Sequence, residues 1–300
     1  MDTDRLQMFV TLAETLNFHR ASERCHISPS TLSRNIQQLE QALNANLFER
    51  NNKRVVLTNH GQLFLTHARE ILKQWETVYQ TMQAGATELT GAISLYCSVT
   101  ASYSFLYELL TQFRQNHPKI EIKLHTGDPA LAIERIMSGV EDIAIAARPE
   151  TLPQALSFKT FTDTPLIFIA PKQDKFFRDL TVRQPKSFWP QLPLIISEKG
   201  LARDRINAWF RKKNIIPTIY AQVAGNEAIV SMVSLGFGIG LVPKIVVDNS
   251  PLKNSVKPFL QQPDLKPYEV GICVLKRRLK SPLVEAFWSQ IPDVKKSTPR

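Results

Sequence analysis

The chain has 300 residues, 43% hydrophobic and 21% charged, without low-complexity bias, which is the composition of a soluble globular protein long enough for two or three compact units. No apolar run approaches the ~18 residues of a membrane span, and Asp2, Asp4 and Arg5 give the N-terminus no signal-peptide pattern, so a cytoplasmic protein without a membrane partner is expected. The formal net charge of +10 suits a polyanion, yet residues 1–90 carry nine Lys or Arg against nine Asp or Glu, whereas residues 253–300 carry ten against four, so any nucleic-acid argument must rest on pattern.

Leu6, Phe9, Val10 and Ala13 recur at helical spacing and predict an amphipathic helix over about residues 2–15. Asn17 offers a cap for a second, short helix with Ala21 as a small contact residue and Cys25 on its buried side. A third helix opens at Ser28, with Pro29 where its missing N–H is harmless and Leu32, Ile36 and Leu39 as one apolar stripe. Its other face presents Ser28, Ser30, Thr31, Ser33, Arg34, Asn35, Gln37 and Gln38, a set of donors and acceptors fit for base edges and phosphates in a major groove. An ordinary solvated helix face uses the same residue types; the short step from Cys25 to Ser28 favours a helix-turn-helix.

After Leu43, Leu47 and Phe48, the stretch Glu49 to Thr58 reads as a hairpin wing, with Arg50, Lys53 and Arg54 near the backbone or minor groove, or else as a solvated turn. Thr58 can cap a long helix whose apolar positions Phe64, Ala68, Ile71, Trp75, Val78 and Met82 continue until Gly85. Such a helix needs a partner, either a second copy, which would set two reading heads on one duplex, or the rest of its own chain.

From Gly91 onward strands and helices alternate. Ile93, Leu95, Cys97 and Val99 read as a first strand, followed by strands at 120–125, 142–146, 166–170, 194–196, 219–223, 239–242 and 268–275, with helices between them. This rhythm predicts open parallel sheets in two lobes, the last strand and the helix at 283–288 returning to the first lobe. Ligands of such sheets sit at strand ends beside helix N-termini. Ser98, Thr100 and Ser102, with Ala101, make one candidate carboxylate pocket, the alternative being that one hydroxyl merely caps the helix. Gly127, Asp128, Ala147 and Arg148 stand at two further strand ends, and Gly225 and Asn226 open the helix of the other lobe.

Nothing in the chain reads as catalytic or metal-binding. The six histidines form no tight pair with a carboxylate at ligand spacing, and neither a nucleophile elbow nor a phosphate loop is present; the glycines 236, 238 and 240 precede a strand and read as a turn. Cys25, Cys97 and Cys273, odd in number and far apart, are expected to be buried thiols, with a redox role as the alternative.

The chain resembles the LysR-type family of bacterial regulators over essentially its whole length. The resemblance is carried by Phe9, Ala13, Phe18, Ala21, Ser22, Ile27-Ser28, Leu32-Ser33-Arg34-Asn35-Ile36, Leu39-Glu40, Leu43, Leu47-Phe48, Arg50, Leu57-Thr58 and Gly61. It implies a winged helix-turn-helix at residues 1–58, a dimerising linker helix at 59–90, and at 91–300 a two-lobed α/β effector-binding domain like periplasmic binding proteins. Lobe one would take about 91–163 and 266–300, lobe two about 164–265. The resemblance further implies promoter DNA, RNA polymerase and a second copy as partners, a dimer of dimers, no cofactor, and an effector carboxylate met by Ser98, Thr100 and Ser102, with lobe-two contacts near Gly200 and Arg203. Many members have Gln then Pro after the serine that opens the reading helix; here Pro29-Ser30 stands instead, which moves specificity toward Ser30, Thr31, Arg34 and Gln37. Within the family, stretches such as Cys97 to Ala101, Thr126-Gly127-Asp128 and Glu285 to Trp288 are similar to a regulator of branched-chain amino-acid synthesis, implying acetolactate or acetohydroxybutyrate as effector. A family member answering another small carboxylate, or a solute-binding protein or enzyme with a helical extension, are the competing readings.

Overall fold

The computed structural model describes residues 2–51, 54–83, 88–173, 189–260 and 262–291. The chain separates into two compact units, one almost wholly within residues 1–87 and one from residue 88 onward.

The first unit is three helices, a hairpin and a long helix. Helix α1 (Thr3–Thr15) is capped by Asp2 and α2 (Phe18–Arg24) by Asn17, whose side chain accepts from the Arg20 amide at 3.0 Å. The turn into α3 (Pro29–Leu43) puts His26 at a left-handed φ of 53°, and the Ile27 amide donates back to the Ser22 carbonyl at 3.0 Å, a six-residue closure that ends α2 sharply. Leu32, Ile36 and Leu39 are buried with Leu6, Phe9, Leu12 and Ala21, and Phe9 meets the rings of Phe48 and Phe64 at 5.4 and 4.9 Å. Glu40 anchors the entry to the hairpin, its Oε1 accepting from the amides of Leu47 and Phe48 at 2.9 and 3.1 Å. Strands β1 (Phe48–Asn51) and β2 (Arg54–Leu57) pair antiparallel as the wing. Thr58 then caps α4 (Asn59–Gln83), accepting from the Gly61 amide at 2.9 Å and donating to the Asn46 carbonyl at 2.7 Å; Gly61 is required there because a Cβ would collide with the Leu47 carbonyl. Ala68 is buried against α1, but farther along Trp75, Val78, Tyr79 and Met82 are exposed.

The second unit holds two five-stranded sheets. The first runs β4 (Ile120–Thr126), β3 (Gly91–Cys97), β5 (Ile143–Ala147), β12 (Tyr268–Leu275), β6 (Leu156–Thr164). The second runs β9 (Thr218–Val223), β8 (Pro193–Ser197), β10 (Ile239–Pro243), β7 (Leu166–Pro171), β11 (Val256–Pro258). Strand order is the same in both: a parallel trio, then an antiparallel strand arriving from across the unit, then an antiparallel edge. The sheets are therefore mixed rather than parallel as expected, because β6 passes directly into β7 through Pro165, and β12 returns only after β11 is complete. Strands β6 and β11 were not anticipated; β6 reads Leu-Ser-Phe-Lys-Thr-Phe-Thr-Asp-Thr and is mostly half-buried, so it lacks the apolar run of its neighbours.

Side-chain alternation buries both faces of the first sheet. Ile93, Leu95, Ile143, Ile145, Ile272 and Val274 face one cluster with Phe113 and Phe287, while Tyr96, Ala144, Ala146, Cys273 and Leu275 face another with Ala132 and Ile136. Val99 is no strand residue: it opens α5 (Val99–Ala101), which passes through a π-helical turn at Ser102–Leu106 into α6 (Tyr107–Asn116). The other helices are α7 (Ala132–Met137), α8 (Leu201–Lys212), α9 (Asn226–Ser234), α10 (Lys244–Asp248) and α11 (Pro282–Ser289). Cys97 and Cys273 are fully buried, which pushes their thiols up to about 11 and about 12; Cys25 is only partly covered. The basic run at Lys276–Lys280 is a 3₁₀ turn in which Arg278 is buried and pairs with Asp142 at 2.9 Å. Glycines 236 and 238 form the anticipated turn, Gly236 at φ 87° and Gly238 pressed against the Pro193 carbonyl.

Candidate functional site

Two surfaces, one in each unit, collect the candidate side chains. In the first unit, Ser28 caps α3 by accepting from the Thr31 amide at 3.2 Å, and its hydroxyl lies 2.9 Å from that of Ser30 and 2.8 Å from that of Thr31. Asn35 donates to the Thr31 carbonyl at 2.9 Å. These contacts order the start of the helix. Beyond them Arg34, Gln37 and Gln38 are exposed and have no hydrogen-bond or ion-pair partner among the described residues; Ser33 is half-buried. The stripe Leu32, Ile36, Leu39 holds this face outward. Arg50 stands opposite Val55 on the wing, and Arg54 on β2 is exposed; Lys53 lies outside the described residues. The site is a rigid helix with a free guanidinium and two free carboxamides, the chemistry of base-edge and phosphate contact.

In the second unit a cavity of about 590 Å³ opens between the two sheets, within the size range of small-molecule sites. Of the residues singled out from sequence, Asp128, Ala147, Gly200, Gly225 and Asn226 line it. Two helix starts face it from the second lobe, α8 behind Gly200 (φ 91°) and α9 behind Gly225 (φ 83°), and neither has a side-chain cap, so their first amides remain available to an anion. The lobes also come close at Gly200, where an added Cβ would lie 2.7 Å from the Cβ of Ala130.

The other expected residues lie beside the cavity rather than on its wall. Ser98 caps α5 by accepting from the Ala101 amide at 3.1 Å, and Ser102 donates to the Val99 carbonyl at 2.6 Å, so both hydroxyls serve their own helix. Thr100 donates through its amide and its hydroxyl to Glu227 Oε1 at 2.8 and 2.6 Å. Ala101 is buried in the core, Gly127 packs on the Tyr96 hydroxyl, Arg148 lies 3.9 Å from Glu269, and Arg203 donates to the Ser197 carbonyl at 3.2 Å.

Sequence reasoning missed Arg205, Glu150, Lys199 and Tyr268, which also line the cavity. Arg205 bridges the lobes: its Nε and Nη2 donate to Glu150 Oε1 at 2.8 and 2.6 Å and its Nη1 to the carbonyls of Lys266 and Pro267 at 2.6 and 3.1 Å, with the guanidinium 5.3 Å from the Tyr268 ring. Those hydrogen bonds hold the Glu150 carboxyl below its usual range, and burial raises the Tyr268 phenol. A signal was present: with Ala202, Ile206 and Phe210 as the buried stripe of α8, positions 201, 204, 205 and 208 form the adjoining face, and all four line the cavity. Lys199, exposed at the start of α8, has no ion-pair partner among the described residues.

Three histidines lie beside carboxylates, His19 Nδ1 3.4 Å from Glu23 and His67 Nδ1 4.0 Å from Glu70 on exposed helix faces, and His125 at a buried one. His125 Nδ1 lies 3.1 Å from the buried carboxylate of Glu141, which also takes Arg135 at 2.7 Å; sixteen residues separate the pair, so no local spacing announces it. Among the described residues no cluster of His, Cys, Asp and Glu is placed to hold a metal ion, and no helix is long and apolar enough to cross a membrane.

A helix-turn-helix with a wing in one unit and a two-lobed, ligand-sized cleft in the other are the parts of a DNA-binding transcriptional regulator. Residues 3–62 match the bacterial regulatory helix-turn-helix model of the lysR family and residues 86–295 the LysR substrate binding domain; the chain belongs to the LysR family. It is 44% identical to the HTH-type transcriptional activator IlvY of Haemophilus influenzae over 292 residues, covering 97% of this chain and 100% of that one. Against the HTH-type transcriptional regulator IlvY of Escherichia coli the identity is 42% over 299 residues, covering 98% and 100%. Among solved structures, a full-length OxyR variant from Pseudomonas aeruginosa shares the fold at a TM-score of 0.68 and 22% identity, covering 96% of this chain and 94% of that chain. CbnR, a LysR family transcriptional regulator, does so at 0.64 and 20%, covering 96% and 97%.

Proposed function

We propose that the protein activates the ketol-acid reductoisomerase gene of isoleucine and valine synthesis in response to acetolactate or acetohydroxybutyrate, and represses its own gene. The observation that carries this reading is the 42–44% identity, end to end, with regulators named IlvY. The cleft supports it: a short 2-hydroxy-2-methyl-3-oxo acid brings one carboxylate, one hydroxyl and one ketone to a cavity of about 590 Å³ that offers uncapped helix amides and Lys199.

In this reading residues 1–58 read DNA, 59–90 dimerise and 91–300 bind effector, in the cytoplasm. Ser28, Ser30, Thr31, Ser33, Arg34, Asn35, Gln37 and Gln38 meet the major groove, with Arg50, Lys53 and Arg54 on the backbone. The exposed stripe Trp75, Val78, Tyr79 and Met82 of α4 packs against its counterpart in a second copy, and two such dimers bind one promoter with RNA polymerase as the further partner. Effector binding at Thr100 and the cleft glycines resets the lobes and with them the bend of the promoter, a coupling between two sites in the thermodynamic sense. A gel shift and bend assay on the intergenic region beside the protein's own gene, with and without acetolactate, tests this. A changed bend or footprint is expected; identical footprints and bend at saturating acetolactate would overturn it, and a thermal-shift response to a different acid would reassign the pathway.

A further inference from the structure

Glu227 sits in the first turn of α9, on lobe two, yet its carboxylate is engaged by lobe one. Oε1 accepts from both the amide and the hydroxyl of Thr100, at 2.8 and 2.6 Å. Gly225 precedes α9 at φ 83°, a left-handed conformation that favours glycine. The carboxylate therefore lies by the opening turns of α9 and α5 together, where both sets of amide dipoles favour negative charge.

A second contact grips the same stretch of lobe one. Asn249, from the end of α10, donates to the Ser104 hydroxyl at 3.1 Å, and that hydroxyl donates to the Thr100 carbonyl at 2.9 Å. Two side chains of lobe two thus hold residues 100–104 of lobe one, where the helix widens into its π turn. Irregular turns of this kind persist where the surroundings fix them.

We propose that Glu227 is an internal competitor for the effector. Without effector its carboxylate holds the donors of Thr100 and latches the lobes; an effector acid binds by displacing it. The inference rests on the reading that Thr100 receives the effector carboxylate. A ligand must then outcompete a tethered carboxylate, so its hydroxyl and ketone contacts have to contribute as well. A binding-competent fraction reduced by the latch lowers apparent affinity by that fraction.

Calorimetric titration of the full-length protein with acetolactate, in the wild type and in the Glu227→Ala, Glu227→Gln and Thr100→Val variants, tests the idea. Glu227→Ala should tighten binding about tenfold, and Glu227→Gln, which keeps an acceptor for the Thr100 amide and hydroxyl, should gain less. Residue-resolved hydrogen exchange without effector should show the Thr100 amide exchanging faster in Glu227→Ala, while the Ala101 amide, held by Ser98, is unchanged. Weaker binding in Glu227→Ala, equal gains in Ala and Gln, or unaltered exchange at Thr100 would overturn the competitor. Acetolactate that fails to bind the wild type, or binds Thr100→Val unchanged, would instead remove the effector reading, and the exchange result would still report on the contact itself. Cooperative thermal unfolding of both Glu227 variants shows that they are folded.

Discussion

The reading face and the cleft are assembled in opposite ways. The polar face proposed to read DNA comes from eleven consecutive residues, Ser28 to Gln38, fixed by three buried side chains of the same helix and a cap just before its first residue. The cleft draws on residues from Asp128 to Tyr268, gathered by two sheets and two crossings of the chain. One surface is written locally and depends on a small core; the other exists only when distant segments meet.

That contrast predicts separable damage. Phe9→Ala should have the largest effect, removing a fully buried ring from the core of the first unit at roughly 3–5 kcal/mol. Calorimetry should show the first unit melting earlier while the second keeps its transition, and a matching loss in both would break the comparison. Arg34→Ala is next: losing one base or phosphate contact of about 1–3 kcal/mol should weaken promoter binding about 5- to 150-fold at fixed salt, without changing acetolactate affinity. Fluorescence anisotropy on labelled promoter DNA reads the first quantity and titration calorimetry the second. Ser28→Ala removes the cap of α3 and should cost about 1 kcal/mol, visible as a lower midpoint in urea for the first unit alone.

The smallest effect concerns the cleft. Because Arg205 holds the Glu150 carboxyl below its usual range, the contact stabilises the second unit above the carboxyl's unfolded pKa and is lost as pH falls through its lower folded value. As pH falls below the ordinary glutamate value of about 4.3, the wild type should therefore lose thermal stability faster than Glu150→Gln, the two converging once Glu150 is protonated. Parallel melting curves across that range would show that the bridge contributes nothing measurable, as many exposed pairs do.

The same contrast decides how much was legible in the sequence. The caps at Asn17, Ser28 and Thr58 and the stripe Leu32, Ile36, Leu39 announce themselves because each acts within four residues. The engagement of Ser98 and Ser102 with their own helix is equally local, and was the capping alternative that Ser98 to Ser102 left open. Arg205 on Glu150, Glu227 on Thr100 and His125 on Glu141 are separated by 55, 127 and 16 residues, and no periodicity predicts them. Strand β6 was hidden for a different reason: it is polar on much of its length because it lies at the sheet edge.

The two matching sheets have a consequence for the birth of the molecule. Strand β12 occupies the space between β5 and β6, yet it follows every strand of the second sheet in the chain. The first sheet, though begun earlier, keeps an open seam through its middle until β12 is added. A chain ending before residue 268 would contain every strand of the second sheet while lacking the strand that joins β5 to β6 in the first.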